Sequence, residues 1–209
     1  MASSVEASIS EAVEALITRD PEIADHVVRK DDAINHLEIQ IDELALKLLA
    51  LQQPVAVDLR FLTSAMKINN DLERMGDHAV NIAERARMLS QEDSFKFGLN
   101  ISRMAEIVQS MVKDSIDSFI KADVALAREI CRRDDEVDQF DDKVSRKLLA
   151  TMTSDTQNVN RALHFVLVSK NLERIGDLST NIAEEVIFIY KARNIKHHMD
   201  EIEDIRSRS

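Results

Sequence analysis

The sequence predicts an all-α protein made of two tandem three-helix bundles related by an internal repeat. Three observations predict it. Only three Gly and two Pro occur in 209 residues, which leaves little turn chemistry for a β-rich fold. The chain is 44% hydrophobic and 31% charged but only 4% aromatic, the composition of long helices. Residues 72–84, LERMGDHAVNIAE, return one hundred positions later as LERIGDLSTNIAE at 172–184, with nine of thirteen positions identical. A repeated helix needs only a repeated apolar pattern to pack. Here Glu, Arg, Asp and Asn repeat too, so something other than packing uses them.

A first helix is expected from about Ala2 to Arg19. Asp20-Pro21 then reads as an N-cap followed by Pro at the first helical position. The second helix runs to about Gln52. Its apolar residues Ile34, Leu37, Ile41, Leu44, Leu48 and Leu51 step 3-4-3-4-3, a heptad-like seam expected to pack. Pro54 breaks the chain, and a third helix runs from about Val55 to Leu89. The polar segment Ser90 to Gly98 reads as the linker between halves.

The second half retraces this path. A helix covers about Leu99 to Ala122, Asp123 caps the next, and that one runs to about Thr153. TSDTQN is turn-rich. The last helix covers about Val159 to Ala192, with Leu172, Ile175, Ile182, Val186 and Ile189 at helical spacing. The charged tail after Arg193 is expected to fray. The expected units are therefore 1–93, 94–193 and a tail, 194–209.

The repeat extends beyond the opening motif. At an offset of 103, ITRDPEIADHVVRKDDAIN lies over IKADVALAREICRRDDEVD. Asp20, Asp31 and Asp32 then match Asp123, Asp134 and Asp135, while Asn35 matches Asp138. The offset falls to 100 by the third helix of each half, so the second half has the shorter connection there.

With a net charge of −11 and a pI near 5.0, no basic stripe for nucleic acid stands out, and an acidic face suits cations or a basic partner surface, with plain solubility as the competing reading. Cys131 is the single cysteine, so no intramolecular disulfide forms; at an apolar position it reads as a small core residue. The opening residues MASSVEAS do not read as a basic-then-apolar signal peptide. The longest apolar run, Val186 to Tyr190, is far short of the roughly 20 residues that span a bilayer. The expectation is a soluble, cytoplasmic protein that meets membranes only through partners.

Residues four apart share a helix face. Glu73, Asp77 and Asn81 form a ladder of oxygen ligands, and Glu173, Asp177 and Asn181 form its counterpart, with Glu84 and Glu184 beyond. The second helix of each half offers a matching set: Asp31, Asn35 and Glu38, then Asp134, Asp138 and Asp141. If each second helix packs on its third, like charges face each other. That arrangement is repulsive unless a cation or a basic partner lies between them. Hard oxygens without a Cys or His cluster suit iron, manganese, magnesium or calcium. The competing reading is a solvated acidic face.

Arg74 and Arg174 read as salt-bridging surface residues. Gly76 and Gly176 each cost about 1 kcal/mol in a helix interior. Their repetition implies close approach of a neighbouring helix, or space for something bound. His78 adjoins Asp77 but aligns with Leu178 in the repeat, so a ligand role would be confined to one half, and the competing reading is structural. No Glu has a His three residues later, as ferritin-type di-iron bundles require. No phosphate loop, dinucleotide turn or nucleophile setting is present. Nothing catalytic is visible.

LERMGDHAVNIAE with its partner LERIGDLSTNIAE, preceded by LALQQPVAVDLRFLTSAMKINNDLER, closely resembles the PhoU family of bacterial phosphate-signalling regulators. The resemblance runs from about Glu11 to Tyr190. It implies two tandem three-helix bundles in a cytoplasmic, commonly homodimeric protein. It also implies action with the ATPase of a phosphate ABC transporter and with a sensor histidine kinase, holding the kinase inhibitory when phosphate is plentiful. Family members bind divalent or trivalent ions at carboxylate motifs: iron foremost, with manganese, magnesium or zinc as alternatives. Those motifs fall here on Glu73/Asp77, Glu173/Asp177 and Asp134/Asp138, with Asp31/Asn35 matching in the first half. Because Asn35 departs from the acidic pattern, the first site is expected to bind more weakly or to hold fewer ions. Family members usually carry a longer N-terminal segment, so truncation or a late-starting first helix is expected. A non-enzymatic regulator of phosphate uptake and signalling is the function implied; a multinuclear metal-binding or storage protein is the alternative.

Overall fold

The computed structural model describes residues 1–93 and 101–192. It contains helices α1 (Ala2–Thr18), α2 (Pro21–Gln52), α3 (Val57–Ser90), α4 (Ile101–Lys121), α5 (Val124–Ser154) and α6 (Val159–Lys191). A short 3-10 turn, Thr156–Asn158, precedes α6. The remainder of the linker, 94–98, and the tail, 194–209, lie outside the described residues.

The same device starts the middle helix of each half. Asp20 accepts hydrogen bonds from the backbone N–H of Glu22 and Ile23, at 2.8 and 3.4 Å. Asp123 accepts from Ala125 and Leu126, both at 3.0 Å. Each satisfies two of the N–H groups that a helix start leaves unpaired. The corners that follow differ. Gln53 and Ala56 take positive φ around Pro54, which delays α3 to Val57. In the second half α5 ends at Ser154. Asp155 then accepts from the N–H of Gln157 at 3.0 Å and leads through the 3-10 turn into α6.

Each half is a three-helix bundle: α1, α2 and α3 pack on one another, as do α4, α5 and α6. The bundles join where α3 lies along α6 and α1 meets α4. One hydrophobic core runs through both, including Ile9, Met75 and Ile82 in the first half and Met111, Leu172 and Ile182 in the second. This is the fold class that composition and repeat predict.

The α2 seam departs from expectation. Ile34 is buried and Ile41 half-buried, but Leu44, Leu48 and Leu51 are 58%, 37% and 67% exposed. The reason is the length of α1. His26 and Lys30 of α2 bind Glu11 of α1, at 3.0 and 2.8 Å, which fixes the level at which the two helices meet. With 17 residues against 32, and about 1.5 Å of rise per residue, α1 runs out near Leu37. The stripe continues past it uncovered.

Candidate metal centres

The second half brings its predicted residues together. Helix α5 carries Asp134, Asp138 and Asp141, and α6 packs Glu173 and Asp177 against them. Carboxylate oxygens of Asp138, Glu173 and Asp177 lie within 4.8 Å of one another. Burial, then the charge of Asp138, pushes Asp134 up to about 6, although a hydrogen bond from Thr180 opposes the rise. Burial, then Asp134 and Asp138, raises Asp177 to about 6 as well. Glu173 is raised by burial and by Asp177. Asp134 Oδ1 is buried with no hydrogen-bond partner.

The first half repeats the arrangement with less charge. Burial raises Asp31, and Asp77 and Asp32 add to the rise. Glu73 is raised by burial, then by Asp77, Glu38 and Asp31. The Asn35 amide donates to Asp31 Oδ2 at 3.1 Å, a neutral contact where the second half has a carboxylate. Asp31 Oδ1 and Asn35 Oδ1 are buried without partners.

The repeated glycines lie where these helices approach each other. A Cβ on Gly76 would stand 3.3 Å from Ile34 Cδ1 and 3.5 Å from Asp31 Oδ1. One on Gly176 would stand 3.4 Å from Val137 Cγ1 and 3.8 Å from Asp134 Oδ1. The close-approach reading holds at both positions: the nearest atoms belong to Ile34 and Val137 of the neighbouring helix, and an unpartnered carboxylate oxygen lies just beyond them.

Asn181 lines an open cavity of about 820 Å³ with Asp134, Glu173 and Asp177. Asn81, half-buried one turn beyond Asp77, forms no hydrogen bond to its cluster among the described residues. Arg74 pairs with Asp71 at 3.6 Å, as a surface salt bridge would, yet it also reaches across from α3 to line the second half's cavity beside Arg174.

Several contacts are not visible in the residue pattern. Lys170 Nζ lies 2.6 Å from Asp141 Oδ2 and 3.7 Å from Glu173 Oε1. Ser169 Oγ donates to Asp141 Oδ1 at 2.8 Å. Glu185, 3% exposed, accepts from Ser64 Oγ at 2.7 Å and Lys67 Nζ at 2.9 Å, tying α6 to α3. His78 Nδ1 meets Asn171 Oδ1 at 2.9 Å across the same interface, and burial lowers its pKa. Position 178, its repeat partner, is Leu, and that mismatch is the signal that His78 serves the interface. Burial pushes Cys131 up to about 11, in keeping with a small core residue.

The donor set fits a hard cation. Carboxylates from facing helices converge, burial raises the pKa values of Asp31, Glu73, Asp134, Glu173 and Asp177, and each half holds a buried oxygen without a partner. A proton or a cation bound between such groups would relieve their mutual repulsion.

Two segments, residues 1–86 and 101–186, match the family model described as the PhoU domain. The chain is 42% identical over 197 residues to the phosphate-specific transport system accessory protein PhoU homolog of Aquifex aeolicus, covering 94% of this chain and 89% of that one. It is 37% identical to the homolog of Pseudomonas aeruginosa, over 92% of this chain and 80% of that one. The crystal structure of PhoU from Pseudomonas aeruginosa superposes with a TM-score of 0.90 at 36% identity, covering 92% of this chain and 93% of that one. The phosphate transport system regulatory protein PhoU from Streptococcus pneumoniae gives a TM-score of 0.87 at 28% identity, covering 93% and 92%.

Proposed function

The chain belongs to the PhoU family, and from that premise we propose that it is a non-enzymatic regulator of phosphate uptake and phosphate signalling. In this reading it acts in the cytoplasm as an adaptor, as a homodimer. Its partners are the ATPase subunit of a phosphate ABC transporter and the sensor histidine kinase that reports phosphate status. The names of its relatives support the transport role. No helix among the described residues is long and apolar enough to cross a membrane, so contact with the transporter would be made through a protein partner.

Metal organises the surface in this account. Asp134, Asp138, Glu173 and Asp177 would hold it in the second half, and Asp31, Glu73 and Asp77 with Asn35 in the first; Asn81 and Asn181 extend the two ladders. The ion, iron foremost and otherwise manganese, magnesium or zinc, would supply positive charge between like-charged helix faces. The residues themselves set the spacing of α2 on α3 and of α5 on α6. That spacing presents an acidic face of fixed shape to a partner. The convergence of Asp138, Glu173 and Asp177 beside the unpartnered Asp134 oxygen carries this reading.

Binding of the purified chain to the transporter ATPase and to the kinase's cytoplasmic region, before and after chelation, tests it. Binding that falls with metal removal supports the reading. Undiminished binding after chelation would leave a bare interaction face and remove the ion from the mechanism.

A further inference from the structure

Among the facing carboxylates and the cation beside them, the two clusters differ in charge at two repeat-related positions, and those differences cancel. Asp138 stands where the first half has Asn35, which adds a negative charge. Lys170 stands where the first half has Asn70, which adds a positive one. The first cluster counts four carboxylates, Asp31, Glu38, Glu73 and Asp77. The second counts five, Asp134, Asp138, Asp141, Glu173 and Asp177, with one ammonium among them, so both carry the same net charge of −4.

The geometry assigns that ammonium a place. Its closest contact is Asp141 Oδ2 at 2.6 Å, and it reaches Glu173 Oε1 at 3.7 Å. Asp141 is 4% exposed, and its other oxygen is taken by Ser169. A carboxylate this buried needs a positive charge beside it. Lys170 itself is half in solvent and lines the same cavity as Asp134, Glu173 and Asp177. It is therefore placed to act on the cluster's charge as well as on Asp141.

We propose that Lys170 is a built-in counter-cation. It neutralises Asp141, keeps that carboxylate out of the ligand set, and holds the second cluster's demand for external positive charge at the level of the first. Lys170 is a positioning residue, not a ligand. The inference rests on reading the clusters as metal sites. It also offsets the weaker first site that Asn35 alone implies, because the additional carboxylate opposite it arrives with its own cation.

The test is Mn²⁺ titration of the full chain, by calorimetry and by paramagnetic resonance, with Glu73→Ala and Asp77→Ala disabling the first site. Lys170→Asn, the first half's residue at that position, is expected to raise second-site affinity about tenfold or more, or to admit an additional ion. Asp141→Asn is expected to lower affinity by a similar factor, because the lysine is left unopposed. The double variant restores the charge count and is expected to return to within about threefold of the parent. A salt bridge serving stability alone would move the melting temperature without moving affinity in opposite directions. If Lys170→Asn fails to fold, judged by circular dichroism, Asp141→Asn and the double variant carry the same contrast. Variants that match a metal-binding parent, or that shift in one direction together, would overturn the proposal while leaving the metal reading intact. A parent that binds no Mn²⁺ while the intact chain also binds none would instead remove both.

Discussion

Asp134 lies against Gly176. A methyl group at position 176 would stand 3.8 Å from Asp134 Oδ1 and 3.4 Å from Val137 Cγ1, and Gly76 faces Asp31 and Ile34 in the same way. The glycine thus permits the helix spacing, with room for one carbon and little more. Gly176→Ala is expected to raise stability by up to about 1 kcal/mol, through helix propensity. Gly176→Leu must force α5 from α6 and is expected to cost about 2–3 kcal/mol. Urea denaturation checks both. An alanine variant destabilised by more than about 1 kcal/mol would show that the approach is tighter than these distances allow.

The raised carboxylates predict an unusual pH dependence. Asp134 and Asp177 sit at about 6 in the folded chain, against 3.8 for an ordinary Asp. The folded state therefore binds more protons between those values. Stability from these groups is fully present below the unfolded pKa and is lost as pH rises through about 6. Burial lowers His78 and His164 and gives them the opposite slope. The share of the two aspartates, on the order of 1 kcal/mol lost between pH 5 and pH 7 after allowing for solvent screening, is therefore read by comparing metal-free wild type with an Asp134→Asn, Asp177→Asn variant. A saturating divalent ion should abolish or reverse that slope, since ion and proton compete for the same oxygens. Thermal melts across this range, with and without Mn²⁺, measure it. A metal-free wild type whose melting temperature changes from pH 5 to pH 7 just as the double variant's does would contradict the assignment.

Much of this was legible in the chain. Asp20 and Asp123 announced two helix starts, and the LER segments paired α3 with α6 as equivalents. Because the polar positions repeat as well as the apolar ones, the carboxylates could be named before any geometry. The bare leucine stripe could not be read. The spacing of Leu44, Leu48 and Leu51 is that of a buried seam, and only the reach of α1 decides whether anything covers it. Lys170 was also hidden: the repeat aligns it with Asn70, but only the packing of α5 on α6 shows that it meets Asp141. Contacts between the bundles leave no period in the sequence. Glu185 pairs with Ser64 and Lys67 across the interface, while its own repeat equivalent is Arg85.

Glu185 should hold the two bundles in register. Glu185→Ala leaves the buried Ser64 hydroxyl without its acceptor and the half-exposed Lys67 without its carboxylate, and is expected to cost about 1–3 kcal/mol. Glu185→Gln retains an acceptor for Ser64 and should cost less. Chemical denaturation of both variants, followed by circular dichroism, gives the comparison. An alanine variant within about 0.5 kcal/mol of the parent would show that the tie contributes little.

The α2 stripe divides into a buried and an exposed part, and substitutions should report the division. Ile34→Ala removes a side chain packed against Gly76 and is expected to cost about 2–4 kcal/mol. Leu51→Ala, four to five turns further along the same stripe, should cost less than about 0.5 kcal/mol. Equal costs at the two positions would mean that Leu51 is covered in solution.

The most direct test of the account is metal content per chain, by elemental analysis of protein purified without affinity-tag metals. The wild-type chain is compared with a Glu173→Ala, Asp177→Ala variant of confirmed helicity. The account predicts metal in the wild type and loss of the second half's share in the variant, with the fold intact. Unchanged stoichiometry in a folded variant would contradict it, and would place any bound ion somewhere other than between α5 and α6.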